Sequence, residues 1–229
     1  MSSRHHARQR GMSLIELMIA MVIGLIILAG VINIFVASRQ STRYSDGLRS
    51  MQENGRQAVF VMQSAIRQAG YSTGDPILAV DLANSDTDKI SVRYQADSDC
   101  TGTATGAATP PGIAVNTYSY DLANKQIICT GNVGAAPMPV ADNVETLQFL
   151  YGLDENRDGV IERYVRYSEV GNAADIAGIQ FGLLVVTDGP IKDMAVSKTY
   201  TVLDSTFTAD DLYGRQVFQS MIIIRNKSS

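Results

Sequence analysis

Arg8-Gln9-Arg10-Gly11-Met12-Ser13-Leu14-Ile15-Glu16-Leu17-Met18 is the stretch on which the fold turns. A basic run ends in glycine, an apolar residue follows, and a carboxylate sits five residues past that glycine. From Leu17 to Ala37 no residue is charged, and Asn33 alone is strongly polar. As a helix this run is long enough to cross the roughly 30 Å hydrocarbon core of a bilayer. Gly24 and Gly30 interrupt it, as glycine does where membrane helices approach closely. Arg4, Arg8 and Arg10 precede the run, which favours a cytoplasmic N-terminus and an exported C-terminal domain. Arg39, Arg43 and Arg49 follow it and weaken the asymmetry.

Without its first residues the run has two ordinary readings. One is a secretory signal cut near Val36–Ser38, although its apolar core would exceed the usual length of about 7–15 residues. The other is a plain signal anchor. The glycine, the spaced glutamate and the uninterrupted run together support a third. They resemble the type III signal of type IV pilins and of type II secretion pseudopilins. That resemblance implies cleavage by prepilin peptidase between Gly11 and Met12 and methylation of the new amine of Met12, which stands where those families usually have phenylalanine. Loss of a leader over residues 1–11 would take the net charge from −4 to −7 and remove both histidines, His5 and His6.

Glu16 is the costly residue of the span. A carboxylate at the centre of a membrane helix costs about 2.5–3.5 kcal/mol on insertion scales. The simple reading is a shallow side chain that reaches the headgroups. The resemblance implies a partner instead: the new N-terminal amine, its own or that of a neighbouring subunit. Helix packing would then supply the attraction around a neutralised pair.

Beyond the span, Tyr44, Leu48, Met51, Gly55, Val59, Met62 and Ile66 recur at three- and four-residue spacing, with Arg43, Arg49, Gln52, Arg56 and Gln63 between them. This predicts an amphipathic continuation of the same helix, stopped at Gly70. From Met12 to Ala69 such a helix would be roughly 87 Å long. Gly47 and Gly55 predict a bend or a looser stretch.

After Gly70 the period changes to strand-like alternation. Strands are expected at Lys89–Gln95, Val115–Tyr120, Gln126–Cys129, Val144–Tyr151, Val160–Tyr167, Ile179–Val186, Thr199–Leu203 and Val217–Ile224. Asp121–Asn124 reads as a hairpin turn, and Thr101–Gly112 as an exposed loop. Short polar connections favour antiparallel pairing. The fold class is therefore α+β. The resemblance implies the pilin-like arrangement, one long N-terminal helix with a transmembrane first half, packed on an antiparallel sheet. The organisation is a leader at 1–11, a helix at 12–70 and a β-rich domain at 71–229, with no internal repeat.

The chain has two cysteines, Cys100 and Cys129, both on the exported side of the span. An oxidising compartment predicts a bridge between them, worth about 2–4 kcal/mol through loop closure; two separate buried thiols are the alternative. Asp154-Glu155-Asn156-Arg157-Asp158-Gly159-Val160-Ile161-Glu162 places oxygen ligands at alternate positions before a glycine. It matches the first half of a helical calcium loop. Val165 stands where that loop needs a bidentate glutamate, and Glu162 lies three residues earlier. Two readings stay open: calcium held by Asp154, Asn156, Asp158 and Glu162, or a bare hairpin with Asp-Gly at its turn.

Catalytic readings find little support. Gly70-Tyr71-Ser72-Thr73-Gly74 fits the nucleophile-elbow string, but that motif needs a preceding strand and a histidine partner. The processed chain would have no histidine, which removes histidine-zinc motifs and the usual triads. No phosphate-binding glycine loop occurs. An acidic net charge gives no reason to expect direct nucleic-acid binding. The chain is read as a non-enzyme that needs no cofactor, with calcium as the one candidate ion.

Three downstream patches narrow the resemblance. Met51-Gln52-Glu53-Asn54-Gly55-Arg56 with Ile66-Arg67-Gln68-Ala69-Gly70-Tyr71, then Tyr151-Gly152-Leu153-Asp154, then Gly214-Arg215-Gln216-Val217-Phe218 with Ile224-Arg225-Asn226, are similar to PilW-type minor pilins. That resemblance implies a low-abundance subunit that primes type IV pilus assembly with other minor pilins, at the pilus tip. The implied partners are the minor and major pilins, prepilin peptidase and the inner-membrane assembly platform. The implied location is the inner membrane, single-pass, with the C-terminal domain in the periplasm, and then the pilus. Adhesion and twitching motility would follow from the pilus. The rival readings are a J-type pseudopilin of type II secretion and a pilus-borne adhesin.

Overall fold

A single helix, α1 (Leu14–Gln68, 55 residues), begins two residues after Met12. The computed structural model describes residues 12–106, 112–132, 134 and 136–226; the expected leader with Gly11 lies outside the described residues. Contacts divide the chain into two compact units, Met1–Ser45 and Asp46–Ser229.

In the first unit every described side chain is exposed, including the whole run from Leu17 to Ala37. Mean hydropathy reaches 2.8 in this part of α1, so the helix is long and apolar enough to cross a membrane.

Among the described residues, the second unit contains the rest of α1 and ten strands. They are β1 (Lys89–Ala96), β2 (Gly112–Asp121), β3 (Gln126–Thr130), β4 (Met138–Asp142), β5 (Val144–Leu153), β6 (Arg163–Val165), β7 (Ile176–Val186), β8 (Val196–Val202), β9 (Ser205–Asp211) and β10 (Arg215–Ile223). They form a four-stranded sheet in the order β1-β2-β3-β4, a second in the order β10-β7-β5-β6, and a β8-β9 ribbon. Every pairing is antiparallel, as the short connections predict.

The buried face of α1 is Met51, Gly55, Ala58, Met62, Ala65 and Ile66. It joins one core with Ile90, Ile127, Leu147, Phe149, Phe181 and Leu183 from the two larger sheets. Burying Met62 and Ile66 contributes about 1.5–3 kcal/mol each. Ala58 and Ala65 replace Val59 at the centre of the expected face, and Val59 is only partly buried. Small residues there let the helix axis approach the strands. A second cluster, Leu184, Tyr200 and Val202, fixes the ribbon.

Helix runs unbroken through Gly47 and Gly55. A methyl group at Gly55 would meet the Phe218 ring, and one at Gly47 would meet Ile191. These glycines give room for a neighbouring side chain. Gly70 ends the helix at φ +79°, the left-handed conformation expected of it.

Three strand assignments change. β6 is confined to Arg163–Val165, because residues 160–162 belong to the turn before it and Tyr167–Glu169 forms a 3-10 turn. β4 and β9 have no counterpart in the sequence pattern. β4 carries Pro139, a poor strand residue away from an edge, and β4 is indeed an edge. β9, Ser-Thr-Phe-Thr-Ala-Asp-Asp, buries no residue fully and so lacks the apolar signal.

Candidate functional site

Met12 and Glu16 occupy the start of α1. Met12 is exposed, and Glu16 lies in the first helical turn, where the helix macrodipole favours a carboxylate. The expected cleavage partner, Gly11, is outside the described residues.

Cys100 and Cys129 are bridged, with Cα atoms 6.4 Å apart. Cys129 is buried in β3. The Cys100 amide donates to Asn116 Oδ1 (3.0 Å), whose amide donates to the Tyr94 hydroxyl (2.6 Å). The start of the Thr101–Gly112 loop is more ordered than its composition suggests. Asp99 Oδ1 accepts from the Thr101 amide (2.9 Å), the Thr101 hydroxyl (2.6 Å) and the Thr103 amide (3.2 Å). Residues 107–111 of that loop lie outside the described residues.

The acidic turn joins β5 to β6 through residues 154–162, so the hairpin is wider than a two-residue Asp-Gly turn. Asp154 is fully buried, and its carboxylate accepts from the amides of Asp158 (3.0 Å) and Gly159 (3.1 Å). Asp158 accepts from the Val160 amide (2.8 Å), and Glu162 from the Glu155 amide (3.1 Å). The Asn156 side-chain oxygen accepts from the Asp158 amide (2.9 Å). One carboxylate oxygen from each of Asp154, Asp158 and Glu162 lies within 4.8 Å of the others. This is an oxygen-only donor set, of the kind that suits a hard cation. Arg157 (φ 61°) and Gly159 (φ 89°) turn the backbone sharply. Ile161 then folds back over Gly152 and Gly178, where Cβ atoms would crowd its side chain.

A buried charge network escaped the sequence reading. The Arg215 guanidinium donates to Asp211 through two bonds of 2.6 Å, and to Glu145 through Nε and Nη2, the latter at 3.1 Å. Lys125 Nζ adds a bond of 2.9 Å to Glu145. The side chains of Arg215 and Glu145 are only 4% and 7% exposed. The hydrogen bonds of Arg215 hold Asp211 down to about 2. Burial pushes Glu145 up, but hydrogen bonds from Arg215 and Lys125 outweigh it, and its pKa lies below the ordinary value. The network ties β5, β10 and the end of the ribbon. The sequence signal was one charged residue at the start of each of two apolar runs.

The conserved-domain model described as type IV pilus-assembly protein W matches residues 88–226. The chain belongs to that family. The match runs from the edge of β1 to Asn226 and takes in the disulfide, the acidic turn and the Arg215 network. A second match, the prokaryotic N-terminal methylation motif, covers residues 6–32 and so spans Gly11, Met12 and Glu16. Among solved structures, a type IV-like pilin from Thermus thermophilus aligns with a TM-score of 0.50 at 14% identity. The alignment covers 81% of this chain and 97% of that one, and it shows a shared pilin-like fold. No curated protein sequence matches the chain. Family and fold make this a type IV pilin-like protein with an N-terminal apolar helix suited to membrane anchoring.

Proposed function

We propose that the chain is a minor pilin, processed between Gly11 and Met12, methylated at Met12, and used to prime type IV pilus assembly within a tip complex. One observation carries this reading. The methylation motif and the pilus-assembly family occur in a single chain, joined by one helix whose N-terminal half is apolar and exposed. An apolar helix of this kind needs lipid first and other helices later. Glu16 would pair with an N-terminal amine among the packed helices. The domain would face the periplasm and then the pilus exterior. Its partners would be the other minor pilins, the major pilin, prepilin peptidase and the assembly platform. The role is structural, with no reaction to catalyse.

Deletion of the gene, followed by counts of surface pili, tests this. Loss of pili, restored by the gene in trans, is expected. Normal pili with lost attachment would favour an adhesin instead. Normal pili with failed protein secretion would favour a pseudopilin.

The convergence of Asp154, Asp158 and Glu162 favours calcium as a second element of the reading. The ion would draw these carboxylates and Asn156 together and stiffen the turn that seats Ile161 on the sheet. Its role would be structural.

A further inference from the structure

The two larger sheets have four outer strands, and three are protected. The outer edge of β1 is covered by residues 70–81: the Arg93 amide donates to Ala79 O (2.9 Å) and the Gln95 amide to Tyr71 O (2.8 Å). β4 is short, carries Pro139 and has a register shift against β3. β6 is three residues long and opens with Arg163. These are the usual defences against unwanted strand pairing.

β10 has no such defence along its edge: its one charged residue, Arg215, is buried in the network with Glu145 and Asp211. It runs for nine residues without proline or lysine and pairs with β7 without a register shift. The Ile224 amide donates to Ala177 O (2.8 Å), so strand alternation turns the N–H and C=O groups of Ile223, Met221 and Gln219 away from β7. Met221 and Ile223 each keep 57% of their surface exposed. A groove of about 570 Å³ lies along this edge, lined by Arg67, Met221, Ile222, Ile223, Arg225 and Asn226. Neither Arg67 nor Arg225 has a carboxylate partner among the described residues.

We propose that the free edge of β10 accepts an extended, acidic segment of a different, neighbouring subunit as an added strand, with its carboxylates meeting Arg67 and Arg225. The partner strand would satisfy the outward row of backbone groups, and its apolar side chains would cover Met221 and Ile223. The two arginines select for acidic sequence and against neutral or basic sequence. A second copy of this chain fits poorly. Its acidic strand β9 is already paired with β8, and its acidic turn is closed by its own hydrogen bonds. The proposal rests on the reading of the chain as a subunit of a pilin assembly.

The test places a photo-crosslinking residue at Met221 in the full chain, in cells that assemble pili, and identifies the joined peptide by mass spectrometry. The expected product is an acidic segment of another subunit. It should be lost in Gln219→Pro, which removes an outward N–H but no bond to β7, and in the double variant Arg67→Glu, Arg225→Glu. Both variants should keep the Cys100–Cys129 bridge; if the proline variant fails to fold, the charge reversal decides. A cross-link to a second copy, a cross-link to a helix, or a cross-link undiminished by the charge reversal would overturn the proposal. A chain that enters pili normally but gives no product at 221 also overturns it and leaves the pilin reading standing. A product in cells where the chain never enters pili supports the edge and overturns the pilin reading.

Discussion

Gly55 of α1 faces the ring of Phe218 in β10, and the ring fills the space that a side chain at 55 would need. The two residues lie in separate stretches, Met51–Arg56 and Gly214–Phe218, that both resemble PilW-type sequences. Their contact fixes how closely the helix sits on the second sheet. Gly55→Leu should therefore lose about 1–3 kcal/mol through overpacking. Gly55→Ala should lose less, because better helix propensity returns up to about 1 kcal/mol. Thermal melting of the full chain in detergent reads both. Equal midpoints for Gly55→Leu and the parent would contradict this packing.

Two further stretches, Ile66–Tyr71 and Ile224–Asn226, meet at the end of α1. The Asn226 side-chain amide donates to the carbonyl of Arg67 (3.3 Å), and Gly70 lies against the Asn226 backbone carbonyl. Gly70→Ala should lose at least about 1 kcal/mol, since φ +79° is unfavourable for any residue with a Cβ. A melting midpoint equal to that of the parent chain would show that the turn tolerates a side chain.

Acid should weaken the domain through Arg215. Asp211 and Glu145 both have folded-state pKa values below their ordinary ones. The stabilisation they give is complete above the unfolded carboxylate range near ~4 and is lost as pH falls through their lowered folded-state values, which for Asp211 is about 2. Arg215→Met should destabilise the domain at neutral pH by up to about 3–5 kcal/mol, because Asp211 loses its cation and the buried Glu145 keeps only Lys125. It should also flatten the acid dependence. Urea midpoints measured across pH would reveal both effects, and an unchanged acid slope in the variant would refute the assignment.

Millimolar calcium should raise the melting temperature of the full chain, as any ligand that binds only the folded state does. Asp158→Ala should abolish the shift while leaving the fold intact without calcium. The calcium reading fails if the parent chain shows no shift.

Much of this architecture was legible because its signals are local. The apolar run, the i, i+3, i+4 recurrence after it and the glycine stop at 70 each depend on neighbours within one or two turns. The longest strands announce themselves by alternation in the same way. What could not be read depends on distant partners. Pro139 and the polar β9 become strands only because β3 and β8 present edges to them. Arg215 is a buried cation only because Glu145, 70 residues away, comes to lie beside it. At the acidic turn the spacing of Asp154, Asn156, Asp158 and Glu162 was visible. The seat of Ile161 on Gly152 and Gly178 was not, because those glycines come from two strands.

The central claim is that α1 carries this chain into a pilus, with Glu16 as the group that secures it. Glu16→Ala in the full-length chain, followed by membrane fractionation and analysis of sheared pili, tests that most directly. The account predicts normal membrane insertion and normal cleavage before Met12, with the variant absent from the pili. Incorporation of Glu16→Ala at the parent level would contradict it.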